Sequence, residues 1–179
     1  MKTLKLKQLL FLLLVLIASH AEAQTGYYMI YLGNLGNPGN INTDGESLQG
    51  GGWTSILKGP LQNPTYTSAQ KMPFAFKLND STVTDFKVSS SGYLTFDTSA
   101  SGKPDSNNVS LPTSLLPPNT ICAWGLSGTG LNDEIIIKTW GTAPHRQLWV
   151  QFWSFSTVGD TTNSFNYWAI VLEETSNKI

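Results

Sequence analysis

The sequence supplies few side chains that could catalyse a reaction. Outside the first 23 residues it has one histidine, His145, and one cysteine, Cys122. A Ser-His-Asp triad would need His145 as its base, yet no G-x-S-x-G elbow is present, and residues 125–128 (Gly-Leu-Ser-Gly) fall short of one. We therefore predict that His145 is a polar turn residue and that the chain performs no nucleophilic catalysis.

Carboxylates occur as two doublets at the ends of predicted strands, Asp133-Glu134 and Glu173-Glu174. Glycoside hydrolysis uses two carboxyl groups that flank the same bond. Neighbouring residues of a strand point to opposite faces, so neither doublet forms such a pair. Together with the scarcity of histidine, this predicts that the protein is not an enzyme.

A weak calcium candidate lies in the Gly/Asn-rich segment between residues 33 and 52. Asn40, Asn42 and Asp44, followed by Gly45, match the first half of a calcium-binding loop. The twelfth position is Gly51 in place of the bidentate glutamate, so binding would be weak. The alternative is a glycine-rich loop without metal, and in that case no cofactor is expected.

Tryptophan is the most promising binding chemistry in the chain. All six tryptophans follow residue 23, and Trp149, Trp153 and Trp168 fall on neighbouring predicted strands. Stacked on one outer face, they would form an aromatic surface for sugar rings. The alternative is that they cover the second face of the sheet or pack against the long Gly-rich loop.

The elements that position these residues are short strands separated by glycine, proline, asparagine and serine. No stretch after residue 23 carries a helical period with caps. The pattern predicts an all-β, antiparallel two-sheet β-sandwich of jelly-roll type. The predicted strands are Tyr27–Leu32, Trp53–Leu57, Met72–Leu78, Val83–Ser89, Tyr93–Asp97, Thr120–Gly125, Glu134–Trp140, Gln147–Phe155 and Ser164–Glu173.

Three hairpins are predicted within this order. The strands around Ser90-Ser91-Gly92 form one, with Gly92 at the left-handed position of a three-residue loop. The last three strands form the other two as a meander. In the strand from Gln147, Leu148, Val150 and Phe152 alternate with Trp149, Gln151 and Trp153, so both of its faces carry large side chains.

The first 23 residues read as a secretory signal peptide. Lys2, Lys5 and Lys7 precede the apolar run Leu9–Ala18, and Ala21-Glu22-Ala23 is a cleavage site. The run is too short to span a bilayer comfortably, so we expect a secreted or cell-surface protein with no membrane span after cleavage. Removal of three lysines and one glutamate leaves 8 basic and 11 acidic residues, with no basic cluster, so nucleic acid is not an expected partner.

We expect residues 24–71 to form N-terminal strands and a loop of the same domain as the module at 72–179. The chain closes on Glu173–Ile179, where a turn leads towards a strand that does not follow. Such an ending leaves an unpaired edge. The expectation is a monomeric module that is incomplete at its C-terminal end and belongs to a longer chain.

Several segments resemble the nidogen-like extracellular module of secreted Bacteroidetes proteins. Residues 72–76 resemble its opening F-x-F segment, and residues 121–124 resemble the strand after its proline-rich loop. Residues 88–96 resemble its V-S-x-N-G-x-L-x-F hairpin, with Ser91 in place of asparagine. Residues 141–153 resemble a G-x-A-P-N-R-x-x-x-V-Q-W stretch, and residues 169–174 resemble a V-I-L-Y-E ending.

This resemblance implies a non-catalytic module for adhesion or for contact with glycans or surface proteins, often part of a type IX secretion cargo. The alternative is an ancillary domain of a secreted hydrolase. It also implies O-glycosylation at D-[S/T]-x sites, which Asp80-Ser81-Thr82 and Asp160-Thr161-Thr162 resemble. Ser81 and Thr161 are the candidate acceptors.

Overall fold

The structure is a computed structural model that describes residues 51–107, 110–123, 125–160 and 166–179. The predicted strand Tyr27–Leu32, the signal peptide and the calcium candidate lie outside these ranges. Within them the chain forms strands and no helix, which confirms the all-β prediction. The strands are β1 (Thr54–Lys58), β2 (Gln70–Leu78), β3 (Ser81–Ser89), β4 (Tyr93–Thr95), β5 (Thr120–Cys122), β6 (Leu126–Gly128), β7 (Glu134–Trp140), β8 (Gln147–Thr157) and β9 (Asn166–Glu173).

These strands form two antiparallel sheets, as predicted for a sandwich. The smaller sheet has the order β2-β3-β4-β5. The larger sheet contains β1, β7, β8, β6 and β9, with β8 as its central strand. The pairing of β1 with β7 places residues 54–58 in the same sheet as the C-terminal strands.

The three predicted hairpins are present. β3 and β4 pair across Ser90-Ser91-Gly92, and Gly92 has a φ of 91°. β8 pairs with β7 on one edge and with β9 on the other. The core lies between the sheets, because alternate residues of β3 and β8 turn the same apolar face inward. Its central members are Phe76, Phe86, Val88, Leu94, Ile135, Val150, Phe152, Phe155 and Leu172.

One predicted strand is shorter than expected, and the strand after it was not predicted. The predicted strand Thr120–Gly125 is present as β5 only as far as Cys122, and β6 begins at Leu126 in the other sheet. Gly125 between them has a φ of 85°, which an extended strand does not allow. The N–H of Leu126 donates to the carbonyl of Ser91 at 3.2 Å as the chain crosses over.

β6 and β7 lie end to end along the same edge of β8. Gly128 is opposite Phe155, and Glu134 is opposite Trp153, so the intervening residues loop out of the sheet. Asp133 closes this loop, and only 1% of its surface is exposed. Its carboxylate accepts bonds at 2.8 Å from the N–H groups of Leu61, Thr129 and Gly130 and from the Thr129 hydroxyl.

Candidate ligand-binding face

The outer face of the larger sheet, which points away from the core, carries four tryptophans around one lysine. Lys138 and Trp140 of β7 are opposite Trp149 and Gln147 of β8, and Glu134 is opposite Trp153. Trp53, just before β1, packs against Trp140. We call this set, Trp53, Lys138, Trp140, Trp149 and Trp153, the outer tryptophan face.

Lys138 organises one end of this face. Its Nζ lies 3.5 Å from the centroid of the Trp140 ring and 5.9 Å from that of Trp53, within the range of cation–π attraction. The same Nζ donates to the carbonyl of Gly51. The two indoles meet edge to face, with centroids 6.4 Å apart and planes at 78°. Lys138 therefore ties the segment before β1 to the middle of the sheet.

A chain of polar bonds fixes the other side of the face. The Trp149 Nε1–H donates to Gln147 Oε1 at 3.0 Å, and Gln147 Nε2 donates to Glu173 Oε1 at 2.9 Å. The Ser176 hydroxyl donates to the second oxygen of Glu173. Trp149 is only 8% exposed, so it is the buried member of the face. Trp53, Trp140 and Trp153 are partly exposed.

Polar atoms without a partner are concentrated on this face. In the described part of the chain, four solvent-shielded side-chain atoms make no hydrogen bond. Three of them, Trp53 Nε1, Trp140 Nε1 and Gln151 Oε1, belong to this face, since Gln151 lies between Trp149 and Trp153 on β8. Two indole donors and one amide acceptor on this face thus lie buried without a hydrogen-bond partner.

Trp168 does not join the outer tryptophan face. It is opposite Phe152, whereas Trp149 is opposite Val171. Residues opposite each other point to the same face of a sheet, so Trp168 lies on the core side, as Phe152 does. It lies at the edge of the sheet and is 43% exposed. The expectation that Trp149, Trp153 and Trp168 share one face is therefore wrong for Trp168.

Trp53 and Trp140 were not among the predicted binding residues. For Trp140 the signal was present, because β7 alternates Glu134, Ile136, Lys138 and Trp140 on one face and pairs with β8 in a hairpin. For Trp53 no local signal existed, since it reaches this face only through the pairing of β1 with β7.

The carboxylates and the histidine that were considered for catalysis have structural contacts. Asp133 closes the loop between β6 and β7 in a buried position, and the Glu134 carboxylate lies 3.5 Å from Lys58 Nζ.

The Glu174 carboxylate accepts hydrogen bonds from Arg146 Nη2 at 2.6 Å and from Arg146 Nε at 2.8 Å. The pKa of the Glu174 carboxyl is lowered chiefly by this pairing. His145 lies in the turn between β7 and β8, where its backbone N–H donates to the carbonyl of Thr142.

The remaining predicted site residues fall on different parts of the chain. Ser81 is exposed directly after the turn between β2 and β3, where Asn79 and Asp80 have positive φ. Thr161, Asn40, Asn42 and Asp44 lie outside the described residues. In the described part of the chain, no three histidine, cysteine or acidic side chains gather where they could hold a metal ion.

Cys122 pairs with Tyr93 across β4 and β5. Burial raises the pKa of its thiol to about 11, so the thiol is protonated at neutral pH and is a poor nucleophile. Burial also raises the pKa of Tyr93, whose hydroxyl lies 2.7 Å from that of Tyr66. At this end of the smaller sheet, the hydroxyls of Tyr66 and Tyr93 therefore bond to each other beside the Cys122 thiol.

These features define a two-sheet antiparallel β-sandwich whose larger sheet bears aromatic side chains on its outer face. Residues 48–179 match the model of the NIDO-related family, and the chain therefore belongs to that family. This match supports the nidogen-like resemblance drawn from the motifs. Neither curated proteins nor solved structures gave a match. Across the described residues, no helix is long and apolar enough to cross a membrane.

Proposed function

We propose that this chain is an exported, non-catalytic module that binds carbohydrate through the outer tryptophan face, in adhesion at a bacterial surface or within a secreted protein. The observation that carries the proposal is the gathering of three partly exposed indoles, Trp53, Trp140 and Trp153, on one face of the sheet. A sugar fits such a surface, because its C–H face stacks on aromatic rings while its hydroxyls remain hydrated or bond to polar groups at the ring edges.

The spacing of the tryptophans favours an extended ligand. Trp149 and Trp153 are four residues apart on β8, which corresponds to about 13 Å along a strand. Trp140 and Trp53 extend the aromatic surface beyond Trp149, on the side of β7. A ligand that contacts both ends of the face would therefore span several sugar units.

Glycan-array screening of the purified module, followed by titration of tryptophan fluorescence with the oligosaccharide that binds, tests the proposal. Trp140→Ala and Trp153→Ala should each weaken binding about tenfold or more, the effect of losing roughly 1.5 kcal/mol of aromatic contact. Both side chains are partly exposed, so both variants should keep the wild-type circular dichroism spectrum.

Trp168→Ala is the matched control. It also removes a partly exposed indole, but from the opposite side of the sheet. Binding of a monovalent oligosaccharide should be unchanged in this variant. Carbohydrate recognition at this face is excluded if the wild-type module binds no glycan, or if Trp168→Ala weakens binding as much as Trp140→Ala does.

Export rests on the N-terminal 23 residues, with their lysines, apolar run and A-x-A site. We place the module among the Bacteroidetes proteins that it resembles, as part of a type IX secretion cargo with O-glycan on Ser81 and Thr161. Mass spectrometry of the protein from its native host tests these points together. The expected mature N-terminus is Gln24, and the expected modification adds a glycan to the peptide that contains Ser81. An unmodified Ser81 peptide would remove that site.

A further inference from the structure

The outer edge of β9 carries backbone groups that point away from the sheet. The N–H of Glu173 donates to the carbonyl of Lys178 at 3.0 Å, on the side opposite β8. Alternate residues of a strand direct their backbone groups to the same edge, so Val171, Ala169 and Tyr167 also present theirs outward. Among the described residues, no strand pairs with this edge.

The other edge strands in the described part, β1, β2, β5 and β6, are protected against pairing. β2 contains Pro73 and two lysines, and its register is irregular between Lys71 and Phe76. β1 has an irregular register between Ser55 and Leu57, and β5 and β6 are each only three residues long. Proline, lysine, bulges and shortness are the common means by which edge strands avoid pairing.

Between Trp168 and Leu172, β9 has none of this protection, since the irregularity in its pairing with β8 lies outside that stretch, between Phe152 and Phe155 of β8. Its sequence, NYWAIVLE, contains no proline or basic residue, and its one charge is at its last position. Trp168 is 43% exposed there, and Ala169 is exposed beside it. An apolar edge strand of this length is a template for another strand.

We propose that β9 pairs antiparallel with β9 of a second copy of this chain, centred on Ala169, so that the two larger sheets become one continuous sheet. In this register Ala169 faces its own counterpart, and the outward backbone groups of Val171 meet those of Tyr167. Both strands are satisfied when outward-pointing residues lie opposite each other, and Ala169, a small residue, stands at the centre of the outward-pointing set Tyr167, Ala169 and Val171.

Charge and side-chain pattern both favour a second copy. Antiparallel pairing places the two Glu173 carboxylates at opposite ends of the interface, so like charges do not meet. The register also sets Trp168 opposite Ile170 of the other copy on the core side of the sheet, which covers the exposed indole. The self-pairing is therefore neutral along its length and apolar on that side.

Sedimentation of the mature chain over a range of concentrations tests the proposal, and a reversible dimer is expected. Val171→Pro removes an outward N–H without touching the hydrogen bonds to β8, and Trp168→Lys adds an edge charge. Each should weaken the dimer at least about tenfold, because every hydrogen bond or contact is lost twice by symmetry. Val171→Thr, which keeps the N–H, should leave the dimer intact.

Cysteine crosslinking fixes the register. In a Cys122→Ser background, Ala169→Cys should form a disulfide dimer rapidly under mild oxidation. Leu131→Cys is the control, since Leu131 is 71% exposed on a loop away from β9. Equal crosslinking rates for the two variants would overturn the proposal.

A wild-type chain that stays monomeric would also overturn it, and amide exchange would then identify the alternative. Slow exchange at Ala169 and Val171 in a monomer indicates that another part of the same chain covers the edge. Fast exchange indicates an edge that this chain leaves open for a different protein. Neither result bears on glycan binding, which is measured on the other face with monovalent ligand.

Discussion

Lys138 lies over the face of Trp140, with its Nζ 3.5 Å from the ring centroid. The same ammonium group reaches the carbonyl of Gly51, so one side chain connects β7 to the segment that carries Trp53. The outer tryptophan face therefore depends on a residue that is not aromatic.

Lys138→Met should loosen this arrangement while keeping a long apolar side chain. The loss of the cation–π contacts should lower the free energy of unfolding by about 1 kcal/mol. Trp53 should also become more mobile, which would appear as a change in tryptophan fluorescence anisotropy. Lys58→Met is the control, because its ion pair with Glu134 is at the surface and should contribute less than about 1 kcal/mol. Equal effects of the two substitutions would argue against a special role for Lys138.

Asp133→Asn should be among the most destabilising polar substitutions in the described part. The Asp133 carboxylate accepts four hydrogen bonds in a buried site, and an amide there brings N–H groups against N–H donors. We expect a loss of roughly 3 kcal/mol in urea unfolding. Glu134→Gln, next in the chain, should cost less than about 1 kcal/mol, because Glu134 makes a surface ion pair with Lys58. Similar costs for both substitutions would contradict the buried role of Asp133.

Gly92→Ala separates steric crowding from backbone strain. A Cβ at this position would lie 2.7 Å from Leu126 Cγ and 3.0 Å from the carbonyl of Ala123. Gly102, with a φ of 77°, has nothing within 4 Å of the same added atom. Gly102→Ala should lower the free energy of unfolding by about 1 kcal/mol from backbone strain alone. Gly92→Ala should lower it by about 2 kcal/mol more, because the added Cβ would clash with the buried Leu126. Thermal melts of both variants give the comparison.

Glu174 should make the fold sensitive to acid. The bond to Arg146 lowers the pKa of the Glu174 carboxyl in the folded chain. A carboxyl with a lowered pKa contributes stability above its unfolded pKa and loses that contribution as the pH falls through its folded pKa. Glu174→Gln should therefore reduce the melting temperature at neutral pH and flatten its fall in acid. Asp80→Asn, at the exposed turn after β2, is the control: it also removes one carboxylate, but not the bond to Arg146, and should keep the wild-type melting temperature at neutral pH.

The sequence predicted most of the strands because their alternation is local. β7 begins and ends where the pattern of Glu134–Trp140 does, and Gly92 takes the left-handed position that its loop requires. The division between β5 and β6 could not be foreseen, since the apolar residues run on past Cys122. Only the pairing of Gly128 with Phe155 in the other sheet identifies the second strand.

For this protein the amino-acid sequence by itself determined the fold class, the hairpins and the supply of tryptophan over histidine and cysteine, since turn chemistry and a period of two act over a few residues. The tertiary structure decided which tryptophans meet. Both alternate sets of β9, Trp168 with Ile170 and Ala169 with Val171, are apolar, so the pattern leaves its core side undefined. The register of β9 against β8, with Trp168 opposite Phe152, decides which set faces the core, because cross-strand pairing joins residues that are distant in sequence.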